Sequence, residues 1–231
     1  LAKAIFREMP DKLYENIALA NYIFRLDPEA FAASEDAILN SVETSKVLDI
    51  NKKLYSKYGK AMAYDKYLDS IRLIAENRRF DKIKANMINR PITLPALANI
   101  DDLMIDLSIF KGEVLVVEFF ASWCQPCQSS IESLVNLSNS LTENAGVQMI
   151  GINTWENDKL DKSLFKNNDF GRVKVFFDES GNFAKKVGVQ GLPARLYIDK
   201  NMKLRYIQTG AIGKSEDIRE TKDIIGVLIN E

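Results

Sequence analysis

VVEFFASWCQPC, residues 116–127, runs from an apolar stretch directly into two cysteines three positions apart. The apolar part, Val114 to Phe120, is interrupted only by Glu118 and reads as a strand buried on both faces at the centre of a sheet. Beyond the cysteines a helix is expected over Gln125 to about Glu143, which puts Cys124 at a helix N-terminus. Unpaired backbone N–H groups and the helix dipole favour an anion there. A thiolate is such an anion, and lowering the thiol pKa from its free value of about 8.5 raises the reactive fraction near neutral pH. Cys127 follows one turn later, within reach of a mixed disulfide on Cys124. The competing readings are a structural disulfide or two inert core thiols, although a bridge closing so short a loop restrains little chain entropy.

The chain has 231 residues, two Cys and no His. Structural zinc needs about four Cys or His ligands, more than are present. A Ser-His or Cys-His nucleophilic site is excluded by the missing His. The formal net charge of -1 offers no basic excess for nucleic acid. No apolar run approaches the roughly 18 residues of a membrane span. The chain starts at Leu1 without Met or a charged-then-apolar leader. That start is expected of a processed product.

Working outward, residues 1–90 read as an all-α domain of three or four helices. Apolar residues recur at helical spacing, as in Leu13, Ile17, Ala20 and Phe24, then Ala61, Tyr64, Leu68 and Ile71. PITLP (91–95) reads as a stiff connector, followed by strand-like pieces at Ala96 to Asn99 and Met104 to Leu107. The second domain, 91–231, then alternates. Strands are expected at Val147 to Asn153 and Val173 to Asp178, and helices at Lys159 to Asn168 and Gly181 to Val187. A hairpin (Arg195 to Asp199, Leu204 to Thr209) and a closing helix from Ser215, with Ser215 as its cap, complete the pattern. The fold class predicted is α/β, a mixed sheet with helices on both faces.

VVEFFASWCQPC (116–127), followed by GVQGLPARLYID (188–199), a hairpin and a helix, resembles the thioredoxin-fold oxidoreductases. Within them it is most similar to the extracytoplasmic TlpA and ResA-like reductases of bacteria. The likeness covers about residues 95–231, and it implies a thioredoxin-like domain behind the all-α one. It implies a cis Leu192–Pro193 peptide facing the cysteines, where an ordinary trans proline leading into a strand is the alternative. Gly191 and Leu192 would then offer backbone groups to an incoming peptide by strand addition. Trp123, Gln125 and Pro126 would border the same substrate surface, although Trp123 also suits a half-buried rim aromatic.

Glu118 matches the buried acid of the fold, implying that it accepts the Cys127 proton with a pKa raised by burial. The alternative is a side chain turned to solvent at a strand end. Two departures stand out. Ser130 and Glu132 occupy places where ResA-like members typically carry Glu and Pro, and VQMIGIN lacks the Lys that partners the buried acid in ordinary thioredoxins.

The reaction implied is dithiol-disulfide exchange with protein substrates. Cys124 attacks, Cys127 resolves, and no soluble cofactor or metal is involved. An upstream thiol protein would supply electrons. Gln-Pro between the cysteines brings no positive charge to the thiolate, so a reductant is expected rather than a strong oxidant. The helical domain would capture substrate or form a homodimer, and a dimer with facing sites would favour isomerase activity. A thioredoxin-fold copper chaperone is disfavoured, since such proteins add a distant His. The expected location is the periplasm or an equivalent extracytoplasmic space.

Overall fold

The computed structural model describes residues 73, 76–141, 146–157, 162–166 and 169–231. Residues 76–85 are helical; the remaining helical stripes expected over residues 1–75, and the dimerisation or capture role given to them, lie outside the described residues. Lys82–Glu231 form one compact unit.

The apolar run around Glu118 becomes the middle of an eight-stranded sheet, as its pattern requires. The strands are β1 (Arg90–Pro91), β2 (Ala96–Asn99), β3 (Met104–Asp106), β4 (Val114–Phe120), β5 (Val147–Thr154), β6 (Lys174–Asp178), β7 (Ala194–Ile198) and β8 (Lys203–Thr209). Their spatial order is β1-β8-β7-β4-β5-β6-β2-β3. Every residue of β4 is buried, and each apolar side chain so buried contributes about 1.5–3 kcal/mol. β4 pairs in parallel with β5 and antiparallel with β7. β5 and β6 are also parallel, so the sheet is mixed as predicted.

Past residues 76–85, the α-helices among the described residues are α1 (Gln125–Ser140), α2 (Ser163–Lys166), α3 (Asn182–Val187) and α4 (Lys214–Ile229), with a 3-10 turn at Leu107–Phe110. Strand alternation divides β4 between the two faces of the sheet. Leu115, Val117 and Phe119 pack with Phe183, Ala184 and Val187 of α3. Glu118 points to the opposite face, where Ser130 of α1 is its hydrogen-bond partner.

Some local expectations change. PITLP is more than a stiff connector, because its first residue, Pro91, together with Arg90 pairs with Lys203 and Leu204 at the sheet edge, where proline's missing N–H is tolerated. Ser215 is not the cap of α4. The cap is Gly213, whose carbonyl accepts from Asp217 N at 2.9 Å, and no side chain caps the helix. Ser215 lies inside the first turn, past the position from which a hydroxyl can cap. α1 ends at Ser140, about a turn before the expected end. Of the helix expected over Lys159 to Asn168, Ser163–Lys166 is helical and the rest lies largely outside the described residues.

Candidate active site

β4 delivers the chain to the C-terminal edge of the sheet, where Ala121 to Trp123 make the turn into α1. Cys124 is the N-cap of α1 and has no side-chain cap hydrogen bond. It is joined to Cys127 by a disulfide, with their Cα atoms 5.3 Å apart. Cys127 N donates to Cys124 O at 3.1 Å, which sets the first helical turn. Both cysteines are buried in a cluster with Phe120, Ala121, Phe165, Val175 and Phe177, and Leu192 packs against it.

Leu192, from the loop before β7, thus packs against the cluster that holds both cysteines, and the Leu192–Pro193 peptide is cis, as the resemblance implied. Pro193 is buried, while Gly191 and Leu192 keep partial exposure. Pro193 O accepts from Gly210 N at 2.8 Å, tying this loop to the end of β8. Gln125 and Pro126 are exposed on the rim, and Trp123 is 52% exposed.

Trp123 is held by its indole Nε1, which donates to Trp155 O at 2.9 Å. The residue before it is clamped by a carboxylate: Ser122 N and Oγ both donate to Glu156, each at 2.6 Å. Asn153 Nδ2 donates to the same carboxylate at 2.5 Å. The segment after β5 thus braces the turn that presents Cys124. Trp155 has φ 55° and stands against Gly181, where an added Cβ would lie 2.5 Å from the indole Nε1. Glu156 gave no signal in the sequence, because Ser122, the residue it braces, is 34 positions away.

Glu118 is fully buried. Its cation comes from an unexpected direction: β7 places Arg195 directly opposite it, and Arg195 Nε donates to Glu118 Oε2 at 2.5 Å. On β5 the opposite residue is Gly151, which contributes no side chain. Ser130, one turn after Cys127 on the same face of α1, donates to Glu118 Oε1 at 2.6 Å. The Ser130 hydroxyl that replaces the family's Glu is therefore a direct partner of the buried acid. Arg195 continues to α4, with Nη1 donating to Asp217 Oδ1 at 2.8 Å and Thr221 Oγ1 at 2.7 Å, and Nη2 to Asp217 Oδ2 at 3.1 Å.

Burial raises the Glu118 carboxyl above the usual carboxylate range. Arg195 and Ser130 oppose this, and Asp217 adds to it. For Arg195 burial disfavours the charge, but Glu118, Tyr197 and Asp217 outweigh it and the guanidinium stays cationic. Burial pushes the Tyr197 phenol up, so it stays neutral. One clue to Arg195 was available: a lone charge within the apolar strand ARLYI, the same pattern that singled out Glu118.

Residues 89–225 match the family model described as Redoxin. The thiol:disulfide interchange protein DsbE of Vibrio cholerae serotype O1 is 35% identical over 118 residues, 50% of this chain and 60% of that protein. The thiol-disulfide oxidoreductase ResA of Bacillus thuringiensis subsp. konkukian is 30% identical over 108 residues, 47% of this chain and 61% of that one. The chain thus spans about three fifths of the length of these relatives. A crystal structure of a Chlorobium tepidum protein assigned as a thiol:disulfide interchange protein DsbE superposes with a TM-score of 0.51 at 24% identity. It covers 62% of this chain and 99% of its own. That likeness shows the thioredoxin-like fold.

Proposed function

Because the chain belongs to the Redoxin family, we propose that it exchanges disulfides with other proteins through Cys124 and Cys127, working chiefly as a reductant. One observation carries the reading: the Cys124–Cys127 pair sits at the start of α1, at the end of the central strand, in a buried cluster against which Leu192 packs. The names of the relatives that match over this region support it.

In the reduced protein the Cys124 thiolate is stabilised by the N-terminus of α1. It attacks one sulfur of the target disulfide, and the other target sulfur leaves as a thiolate that takes a proton from water. The Cys127 proton passes to Glu118 as its carboxylate. The Cys127 thiolate then attacks Cys124 Sγ, breaking the bond to the target, whose second sulfur leaves. Two electrons have moved to the target, and the Cys124–Cys127 disulfide observed is the oxidised product. A thiol protein of lower potential restores the dithiol. Gly191, Leu192 and Pro193, with Trp123, Gln125 and Pro126, form the surface on which the target strand lies. The cycle as proposed uses no cofactor or metal.

The reading is completed outside the cytoplasm, a placement supported by the resemblance to TlpA and ResA-like reductases. Among the described residues no helix is long and apolar enough to cross a membrane. The test is the reduction potential of the Cys124–Cys127 couple, together with refolding of a scrambled disulfide substrate. A potential near that of thioredoxin, about -270 mV, is expected. One near about -120 mV, the value of a strong oxidant, would sink the reductant reading. Efficient reshuffling by a dimeric species would replace it with the isomerase reading.

A further inference from the structure

Every N–H of the Arg195 guanidinium has an acceptor, and the acceptors are unequal. Asp217 takes Nη1 and Nη2 with both carboxylate oxygens, at 2.8 and 3.1 Å, the two-pronged geometry in which guanidinium and carboxylate bind best. Gln208 Nε2 adds a donor to Asp217 at 3.1 Å. Glu118 receives only Nε of Arg195, besides the Ser130 hydroxyl. Ser130 O and Oγ accept from Nη2 at 3.2 and 3.0 Å, and Thr221 Oγ1 completes the set. Glu118, Ser130, Arg195, Asp217 and Thr221 are all buried. With both carboxyl groups ionised, this cluster carries one cation against two anions, and a net buried charge is costly.

We infer that Arg195 and Asp217 are a positioning pair for Glu118: Asp217 takes up the guanidinium charge, and Glu118, held by Ser130 one helical turn after Cys127, is left as the surplus carboxyl that can gain and release a proton. Were Arg195 matched to Glu118 alone, the pair would be neutral as an ion pair and the carboxylate would resist protonation. Asp217, arriving from α4, removes that lock. Ser130 allows the change on the α1 side, because a hydroxyl can turn from donating to Glu118 Oε1 to accepting from it. The groups facing Glu118 are thus Arg195 from β7, Ser130 from α1 and, through Arg195, Asp217 and Thr221 from α4. Burial raises its proton affinity and the Asp217 charge adds to this.

This rests on the proposed exchange reaction, and one experiment separates the two. The fully reduced protein is mixed with 5,5′-dithiobis(2-nitrobenzoate). Attack by Cys124 releases a first thionitrobenzoate, and resolution by Cys127 releases a second from the mixed disulfide. Absence of the first release would sink the exchange reading. The second release, followed against pH, tests the positioning pair. Its rate rises as Glu118 ionises. Asp217→Asn leaves Arg195 matched to Glu118, so the midpoint moves to lower pH by about one unit or more, the scale of a nearby charge. Arg195→Met leaves two buried carboxyl groups without a cation, so the midpoint moves upward.

Opposite shifts are not the mark of a general loss of structure. Midpoints that stay in place, or move together, overturn the inference. Should Arg195→Met fail to fold, Asp217→Asn, nearly isosteric, decides alone. The infrared carbonyl band of a buried carboxylic acid gives a reading on the unaltered protein. A band lost in Glu118→Gln supports the assignment, and one lost in Asp217→Asn instead overturns it.

Discussion

Glu118 on β4 and Arg195 on β7 are directly opposite one another in the antiparallel ladder, and their side chains meet at 2.5 Å with 0% and 3% exposure. Glu118 belongs to the strand that ends in the cysteines, and Arg195 to the strand that begins after Pro193. Their contact ties the two walls of the site together beneath the first turns of α1. An ion pair so fully desolvated adds little net stability over an apolar pair, but removing one partner costs about 3–5 kcal/mol.

Glu118 makes stability depend on pH. Its proton affinity is higher in the folded protein, so its contribution is full below the unfolded carboxyl value of about 4.3 and is lost as pH rises through the folded one. Each tenfold difference in proton affinity corresponds to ~1.4 kcal/mol. Denaturant midpoints of the oxidised protein, measured across this range, are expected to fall less steeply with pH in Glu118→Gln. An unchanged slope would mean that the folded protein binds the Glu118 proton no more tightly than the unfolded chain does.

Cys127→Ala removes the thiol proposed to resolve the mixed disulfide while leaving Cys124 at the helix start. The variant is expected to accumulate target proteins bound through Cys124, stable until an external thiol is added. Cys124→Ala should collect none. Non-reducing electrophoresis with mass spectrometry distinguishes the two; trapping by Cys124→Ala alone would reverse the assignment of attacking and resolving thiols, and equal trapping would remove it.

Glu156 braces the turn before Cys124 through Ser122 and Asn153. Glu156→Ala deletes these bonds and is expected to cost about 1–3 kcal/mol. It should also change the emission of Trp123, whose indole is anchored to the adjacent Trp155 carbonyl. Comparison within a Trp155→Phe background isolates the Trp123 signal. No change in Trp123 emission or in unfolding midpoint would show that the turn holds its shape unaided.

Gly181 has φ 66° and stands against the Trp155 ring. Gly181→Ala is expected to lower stability by about 1–3 kcal/mol, from the left-handed backbone and the contact together. Trp155→Leu should relieve the second part. A double-mutant cycle by chemical unfolding checks this, and strictly additive costs would show that ring and glycine do not interact.

Much of the architecture could be read along the chain, because its signals are local. The apolar run Val114 to Phe120 demanded a central strand, the cysteine spacing put both sulfurs on one helical turn, and alternating strands and helices implied a mixed sheet. The signals that misled were also local. Ser215 is a good capping residue beside a helix that begins one position earlier, and PITLP reads as a connector although its first residue completes an edge strand. Capping and edge pairing depend on where the rest of the fold lets an element start, not on composition.

By itself the sequence determined the kind of chemistry available: two cysteines in one turn, no histidine, and a carboxyl embedded in an apolar strand. Tertiary structure alone decided what surrounds that carboxyl. Arg195 and Asp217 lie 77 and 99 positions beyond Glu118 (195 − 118 and 217 − 118). No periodicity links positions so far apart, and only strand register and the packing of α4 on the sheet bring them together. The charge on Glu118 depends on its neighbours' distances and on the exclusion of water, which follow from the folded arrangement.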